Sequence, residues 1–448
     1  MEGSAGAAAG GPPPPQTSPS QRLFSNLGPD LRPVPGSTAG AAALVAGTTV
    51  GAGILALPAI TAPAGFLPSL AGLGGAWGFA VASGLLLAET NINTLCELGR
   101  GGASIRAMAD RTLGSAGANA AGGAYAFLHA SLLVAYTSRA GAVLADASGG
   151  ALPYPAGAAL FVATIGAVCA FFSPAALDAA NGAAVAAVVG TFLALCAAAV
   201  SAGGPPSAAA LFSPAAQHWD ALLPAAPVLA LAFVFQNVVP VIVTQLEGDK
   251  GKVRAAIVFG TALPFALFVC WEAVCLGQGG DGTGGAGGSV AAAGLSGGGG
   301  ADPLAALRSL SPATAPLIDA FSLLAVGTSA IGFTLALTDF VGEAVGVPPR
   351  SVVPYAATLL PPLAGALAAP GIFFGALNAA GTYGVLVLFG LLPAAMAAVE
   401  RRGAELGQAP AGTVRLLGGG VGGLVAVGGV AAAVILGETV RAVSGGGG

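Results

Sequence analysis

Charge is scarce in this chain: Asp, Glu, Lys and Arg make up only 8% of its 448 residues, against about 25% in soluble globular domains. With 55% hydrophobic residues and a mean hydropathy of +0.85, that shortage excludes a water-soluble globular protein. The few charges sum to −4, so the basic surface that nucleic-acid binding requires is lacking. Two His residues (His129, His218) and five irregularly spaced Cys residues (Cys96, Cys169, Cys196, Cys270, Cys275) are too few and too scattered for a metal cluster or a disulfide framework. No metal and no cofactor is expected. The Ser/His, paired-Asp or metal-ligand set of an intramembrane enzyme is also missing, which argues against catalysis. The N-terminus has no charged segment leading into an apolar core, so no secretory signal is read there.

Apolar sequence is present in long runs. Eleven of them are read as membrane spans, since about 20 residues cross a hydrocarbon core of roughly 30 Å. They cover 38–60, 66–90, 121–145, 152–172, 181–202, 223–245, 254–277, 316–343, 352–369, 371–397 and 415–437. One membrane domain, 38–437, is expected between a Pro/Gly-rich disordered tail (1–37) and a C-terminal tail (438–448), with a flexible Gly-rich loop at 278–302. Placing the N-terminus on the inner side puts Arg22, Arg32, Arg100, Arg106, Arg111, Lys250, Lys252, Arg254, Arg350, Arg401, Arg402 and Arg415 on inner segments, twelve of the fifteen basic residues. That asymmetry follows the positive-inside rule.

Two spans are interrupted. The first carries Gly47, Gly51 and Gly53 in its middle, with Pro58 following. Each Gly costs a helix roughly 1 kcal/mol relative to Ala, so an anchoring helix would avoid them. The sixth reads LALAFVFQNVVPVIVTQLEGD, with Gln236 and Asn237 in mid-run and Pro240 beyond. Buried amides are costly without partners, and Pro removes a helix donor. Broken helices at corresponding places in two halves of a chain mark the substrate site of inverted-repeat transporters. The alternative for span six is a Pro kink whose polar groups bond neighbouring helices.

Four ordered blocks carry a family resemblance. GTTVGAGILALPAITAPAGFLPS (47–69), FVFQNVVPVIVTQLEGDKGKVRAAIVFGTALP (233–264), FSLLAVGTSAIGFTLALTDFVGE (321–343) and LPPLAGALAAPGIFFGALNAAGTYGVLVLFGLLPAAMA (360–397) resemble spans one, six, eight, and nine with ten of the tryptophan/tyrosine permease family. LLLAETNINTLCELG (85–99) is similar to its plant and algal branch. The resemblance implies an all-α protein of eleven helices in the amino acid–polyamine–organocation superfamily. Its core would be LeuT-like, a 5+5 inverted repeat with helices 1 and 6 broken and one extra C-terminal helix. It implies proton-coupled symport of tyrosine or tryptophan, with serine, threonine or other neutral amino acids as the alternative substrates. A non-transporting amino acid sensor of the same fold is a further alternative. The algal branch also implies a plastid envelope.

An amino acid brings a carboxylate and an ammonium into the bilayer. Half-helix N-termini suit the carboxylate, which assigns it to the backbone of Val50, Gly51, Ala52 and Gly53. The ammonium is assigned to carbonyls freed near Phe235, Gln236 and Asn237. Thr48 and Thr49 offer hydroxyls, although back-bonding to their own helix competes. His129 and Tyr136 lie seven residues apart on one helical face; Tyr136 is a candidate to stack on an aromatic substrate, and His129 to contact substrate or proton. Arg139, one turn further, either snorkels or pairs with an acid. Glu89, Glu272, Asp319 and Asp339 are the acids weighed for proton coupling, with Glu272 deepest. Thr328 and Ser329 sit where related folds hold sodium, so sodium remains the alternative coupling ion.

Overall fold

The computed structural model describes residues 36–98, 103–277, 308, 311–312, 314–348, 351–407 and 413–445. The remainder of the N-terminal tail, the loop at 278–302, and Arg22, Arg32, Arg100 and Arg350 lie outside the described residues. Those described form helices and the connections between them, with no strand among them. In lipid, a segment must satisfy its own backbone N–H and C=O groups, and a helix does so internally.

In chain order the helices are α1 (Thr38–Thr49), α2 (Gly53–Thr61), α3 (Phe66–Leu98), α4 (Ile105–Ala147), α5 (Tyr154–Phe171), α6 (Pro174–Gly203), α7 (Ala208–Phe212), α8 (Ala226–Ala232), α9 (Val239–Gln245), α10 (Lys250–Gly277), α11 (Thr314–Val345), α12 (Val352–Ala368), α13 (Phe373–Glu405) and α14 (Gly420–Gly445). Serine caps fix several starts: the hydroxyls of Ser37, Ser104 and Ser173 accept from the N–H groups of Gly40, Ala107 and Ala176, satisfying donors that a first turn leaves free.

Among the described residues, nine helical stretches are long and apolar enough to cross a membrane, and the bent pair α1–α2 makes a tenth. The remaining apolar run, α12, has 17 residues and spans about 25 Å, less than the hydrocarbon core. The eleven expected runs are thus all helical, but eleven full spans are not established. Two boundaries differ as well. α4 begins at Ile105 rather than 121 and bends at Gly114, whose φ of 71° lies in the left-handed region. α14 continues to Gly445, well into the stretch assigned to a tail.

α13 departs from α-helical pitch over Ala380–Val385 and Val387–Leu391, which are π-helical. The first of these lies against α8, close enough for a Cβ on Gly381 to meet the Pro227 carbonyl.

One end of the bundle is held by buried charge. Arg401 of α13 grips Glu89 of α3 with two hydrogen bonds, 2.7 and 2.8 Å, and also donates to the carbonyls of Leu417 and Gly420. Leu416 N–H completes the Glu89 carboxylate at 2.8 Å. Beside it, Arg111 pairs with Glu97 and Glu400. Asn93 bonds Glu400 and both backbone groups of Val414, and Arg254 reaches the Leu416 carbonyl. Arg401, one of the basic residues counted on inner segments, is only 4% exposed, and a buried guanidinium needs a carboxylate partner. The same pairing fully buries Glu89, one of the acids weighed for proton coupling, and occupies its oxygens in fastening α13 to α3.

Candidate functional site

The first span breaks over Val50–Ala52, and α1 meets α2 at a bend of 57°. Val50 N–H still donates to Ala46, and the carbonyls of Gly51 and Ala52 accept from Ile54 and Leu55. The N–H groups of Gly51 and Gly53 make no such bond, and that of Ala52 reaches only Ser329 Oγ, at 3.4 Å. The N-terminus of α2 therefore presents free donors and the positive end of its dipole. Gly53 is required for the approach that follows: a Cβ there would lie 3.1 Å from Cα of Ala232, the last residue of α8. A positive helix start thus abuts a negative helix end.

Past α8 the chain leaves helical geometry at Phe233 and resumes a 3₁₀ turn at Gln236–Val238. The carbonyls of Ala232, Phe233 and Val234 accept none of the backbone hydrogen bonds around this break. Pro240 does not kink a continuous helix. It sits in the first turn of α9, where its missing N–H costs nothing.

A cavity of about 460 Å³ opens over both breaks. Thr48, Thr49, Val50, Gly51, Ala52, Gly53, His129, Tyr136, Asn237, Thr328 and Ser329 all line it. Two expected residues do not. Phe235 is fully buried, packed against Gly84 of α3, where a Cβ would come within 2.5 Å of its ring. Gln236 turns its amide inward: its oxygen caps Phe235 N–H at 3.0 Å and its nitrogen faces the Ala80 carbonyl and Ser83. The side chains of these two residues hold the break in shape, and the free carbonyls lie a turn earlier than the sequence suggested.

Thr48, Thr49 and Thr328 donate to the carbonyls of Leu44, Val45 and Leu324 at 2.8–2.9 Å. Their hydroxyl protons are used and only lone pairs face the cavity. Ser329 lies at the first break: a Cβ on Gly51 would lie 2.9 Å from its Oγ. The sequence reading missed Phe333, Leu132 and Gly332 as wall residues. Helical spacing would have found them, since Leu132 shares a face with His129 and Tyr136, and Phe333 lies one turn beyond Ser329. The Phe333 ring centroid is 4.9 Å from that of His129 and 6.0 Å from that of Tyr136, making one wall of the cavity aromatic.

The acids lie away from the cavity. Glu272 of α10 is fully buried and accepts at 2.9 Å from Thr61, the last residue of α2, about 12 Å of helix rise beyond Gly53. Asp319 pairs with Arg308, and Arg139 donates to Ser322. Asp339 lines a second cavity, of about 450 Å³, with Arg106, Tyr125 and Glu343. Asn237 and Ala336 line both cavities, so the two adjoin.

The tryptophan/tyrosine permease family matches residues 35–436. The chain is 28% identical over 383 residues to a tryptophan-specific transport protein of Shigella flexneri, covering 82% of this chain and 87% of that one. It is 27% identical over 404 residues to a tryptophan-specific transport protein of Pseudomonas aeruginosa, covering 86% and 91%. In three dimensions it is similar to MhsT, crystallised in complex with L-phenylalanine, with a TM-score of 0.58 at 18% identity over 91% of this chain and 98% of that one. At that identity the likeness concerns fold alone, and it makes this all-α architecture LeuT-like. With the family spanning nearly the whole described chain, the protein belongs to the tryptophan/tyrosine permease family.

Proposed function

We propose that this membrane protein is a secondary active transporter that carries tyrosine or tryptophan with protons by alternating access. The observation that carries the reading is the meeting of α2 and α8 at Gly53 and Ala232. Free N–H donors at one helix end and free carbonyls at the other face a single cavity. The first set complements an α-carboxylate and the second an α-ammonium, without burying a formal protein charge. The aromatic wall of His129, Tyr136 and Phe333 supports a ring-bearing side chain, and the tryptophan-specific relatives point the same way.

The site residues in this reading are Thr48, Thr49, Val50, Gly51, Ala52, Gly53, His129, Tyr136 and Asn237, with Phe235 and Gln236 shaping the second break. Two inverted five-helix halves, with α1–α2 and α8–α9 as their first members, would let one half rock against the other. Glu272 is the proposed proton site. It holds α2 through Thr61, so a change in its charge acts on the moving half-helix. Asp339 lies on the adjoining route out of the cavity, and Thr328 with Ser329 form the alternative ion site. The N-terminus is inner, on the end that gathers Arg111, Arg254 and Arg401; in a plastid envelope that side is the stroma.

Uptake of labelled tyrosine, tryptophan and serine into vesicles containing the purified protein tests this directly. Imposed proton and sodium gradients are compared. Concentrative uptake of an aromatic amino acid is expected under the proton gradient. Uptake of none of the three under either gradient refutes it.

A further inference from the structure

We propose that Nε2 of His129 is a hydrogen-bond acceptor that reads the substrate ring, selecting aromatic amino acids whose ring carries an N–H or O–H over phenylalanine. The inference rests on the aromatic amino acid reading above and names which members of that class the site prefers.

His129 is 1% exposed and lines the cavity over the two breaks. Its Nδ1 lies 2.7 Å from the Tyr125 carbonyl oxygen, one turn back on α4. A carbonyl can only accept, so Nδ1 is the nitrogen that carries the proton. In the neutral imidazole the other nitrogen is then an acceptor with no hydrogen of its own. That nitrogen, Nε2, is buried and has no hydrogen-bond partner in the protein. Buried polar atoms without partners are rare and costly, and one in the wall of a cavity invites a donor from whatever fills it.

The surroundings fix the ring. The Tyr125 ring lies tilted by 32° against the imidazole with centroids 3.9 Å apart, and Phe333 meets it edge-on at 4.9 Å. With Nδ1 tied to its own helix, the imidazole cannot flip to offer a proton without losing that bond. Nε2 is at the distal end of the ring, away from the α4 backbone. Position agrees too: Tyr136, two turns along α4, lines the same cavity as Ser329, which lies beside the first break. Two turns are about 11 Å of helix rise, so the cavity wall on α4 is longer than one amino acid and holds both residues on the same face. A substrate whose carboxylate engages the start of α2 would bring its ring toward His129. The indole N–H of tryptophan and the phenol O–H of tyrosine are donors, and phenylalanine has none.

The test is competition binding to the full-length protein in lipid vesicles with four probes: tryptophan, its sulfur isostere 3-benzothienylalanine, tyrosine and phenylalanine. Wild type should bind tryptophan about tenfold tighter than the isostere, and tyrosine about tenfold tighter than phenylalanine, as one neutral hydrogen bond gives. In His129→Leu both ratios should fall to near one. Equal affinities within each pair in wild type, or ratios that survive in His129→Leu, would overturn the proposal. Where His129→Leu fails to fold, His129→Phe, which keeps an aromatic ring without the nitrogens, is read in its place, and ratios that survive there overturn the proposal equally. Binding of none of the four by wild type would instead refute the aromatic amino acid reading.

Discussion

Trp271 donates its indole N–H to the Ile54 carbonyl at 3.1 Å, the acceptor that Pro58, four residues on, leaves without a backbone partner. The proline in the second half of the broken span is thus compensated from α10, and the half-helix is pinned at its second residue. Trp271→Phe keeps the packing against Phe192 and Phe321 but leaves that carbonyl buried and unpaired. A loss of about 1–3 kcal/mol is expected, seen as a lower unfolding temperature in detergent, with a larger loss of substrate affinity than Phe192→Leu produces.

The two glycines flanking the first break should behave differently. Gly53→Ala forces a methyl against the α8 backbone at 3.1 Å, whereas Gly47→Ala meets nothing within 4 Å. Uptake should fall at least tenfold in the first and stay near wild type in the second, which also gains up to about 1 kcal/mol of helix propensity. Gly51→Leu should abolish uptake while the protein remains folded, because the side chain fills the cavity at Ser329. Equal uptake by Gly47→Ala and Gly53→Ala would remove the half-helix contact from the mechanism.

Glu272→Gln preserves the shape and an acceptor for Thr61 but cannot exchange a proton. Substrate binding should persist, and counterflow in the absence of a gradient should continue. Accumulation driven by an imposed pH gradient should be lost. Undiminished proton-driven accumulation by this variant would move coupling to Asp339.

The Glu89–Arg401 pair should behave as a unit. Removing one partner strands a buried charge, at about 3–5 kcal/mol, so Glu89→Gln and Arg401→Met should each reduce the amount of folded protein sharply. The double variant should recover part of the loss, as a thermal melt of the three proteins would show.

Much of this was legible in the chain. Glycines and an amide pair within apolar runs marked both breaks, because a bilayer penalises such residues unless they are used. Asn237 does face the cavity as read from its neighbours. Phe235 and Gln236 do not, since which way a side chain leaves an irregular turn depends on the notch at Gly84 and on acceptors in α3, far away in sequence. The burial of Arg401 was not legible for a related reason: the charge pattern says on which end an arginine lies, and only the return of the chain at 413–417 buries it. The π-helical stretch of α13 has no sequence period that separates it from an ordinary span.

The segment from Val414 to Leu417 belongs to no helix, yet it supplies donors to Glu89 and Asn93 and acceptors to Arg254 and Arg401. Three helices end up knotted through a strap of four residues. Helix α14 is then an anchor that keeps this strap taut, so a shortened protein ending after Glu405 should leave this whole end of the bundle unlaced before any transport step is reached.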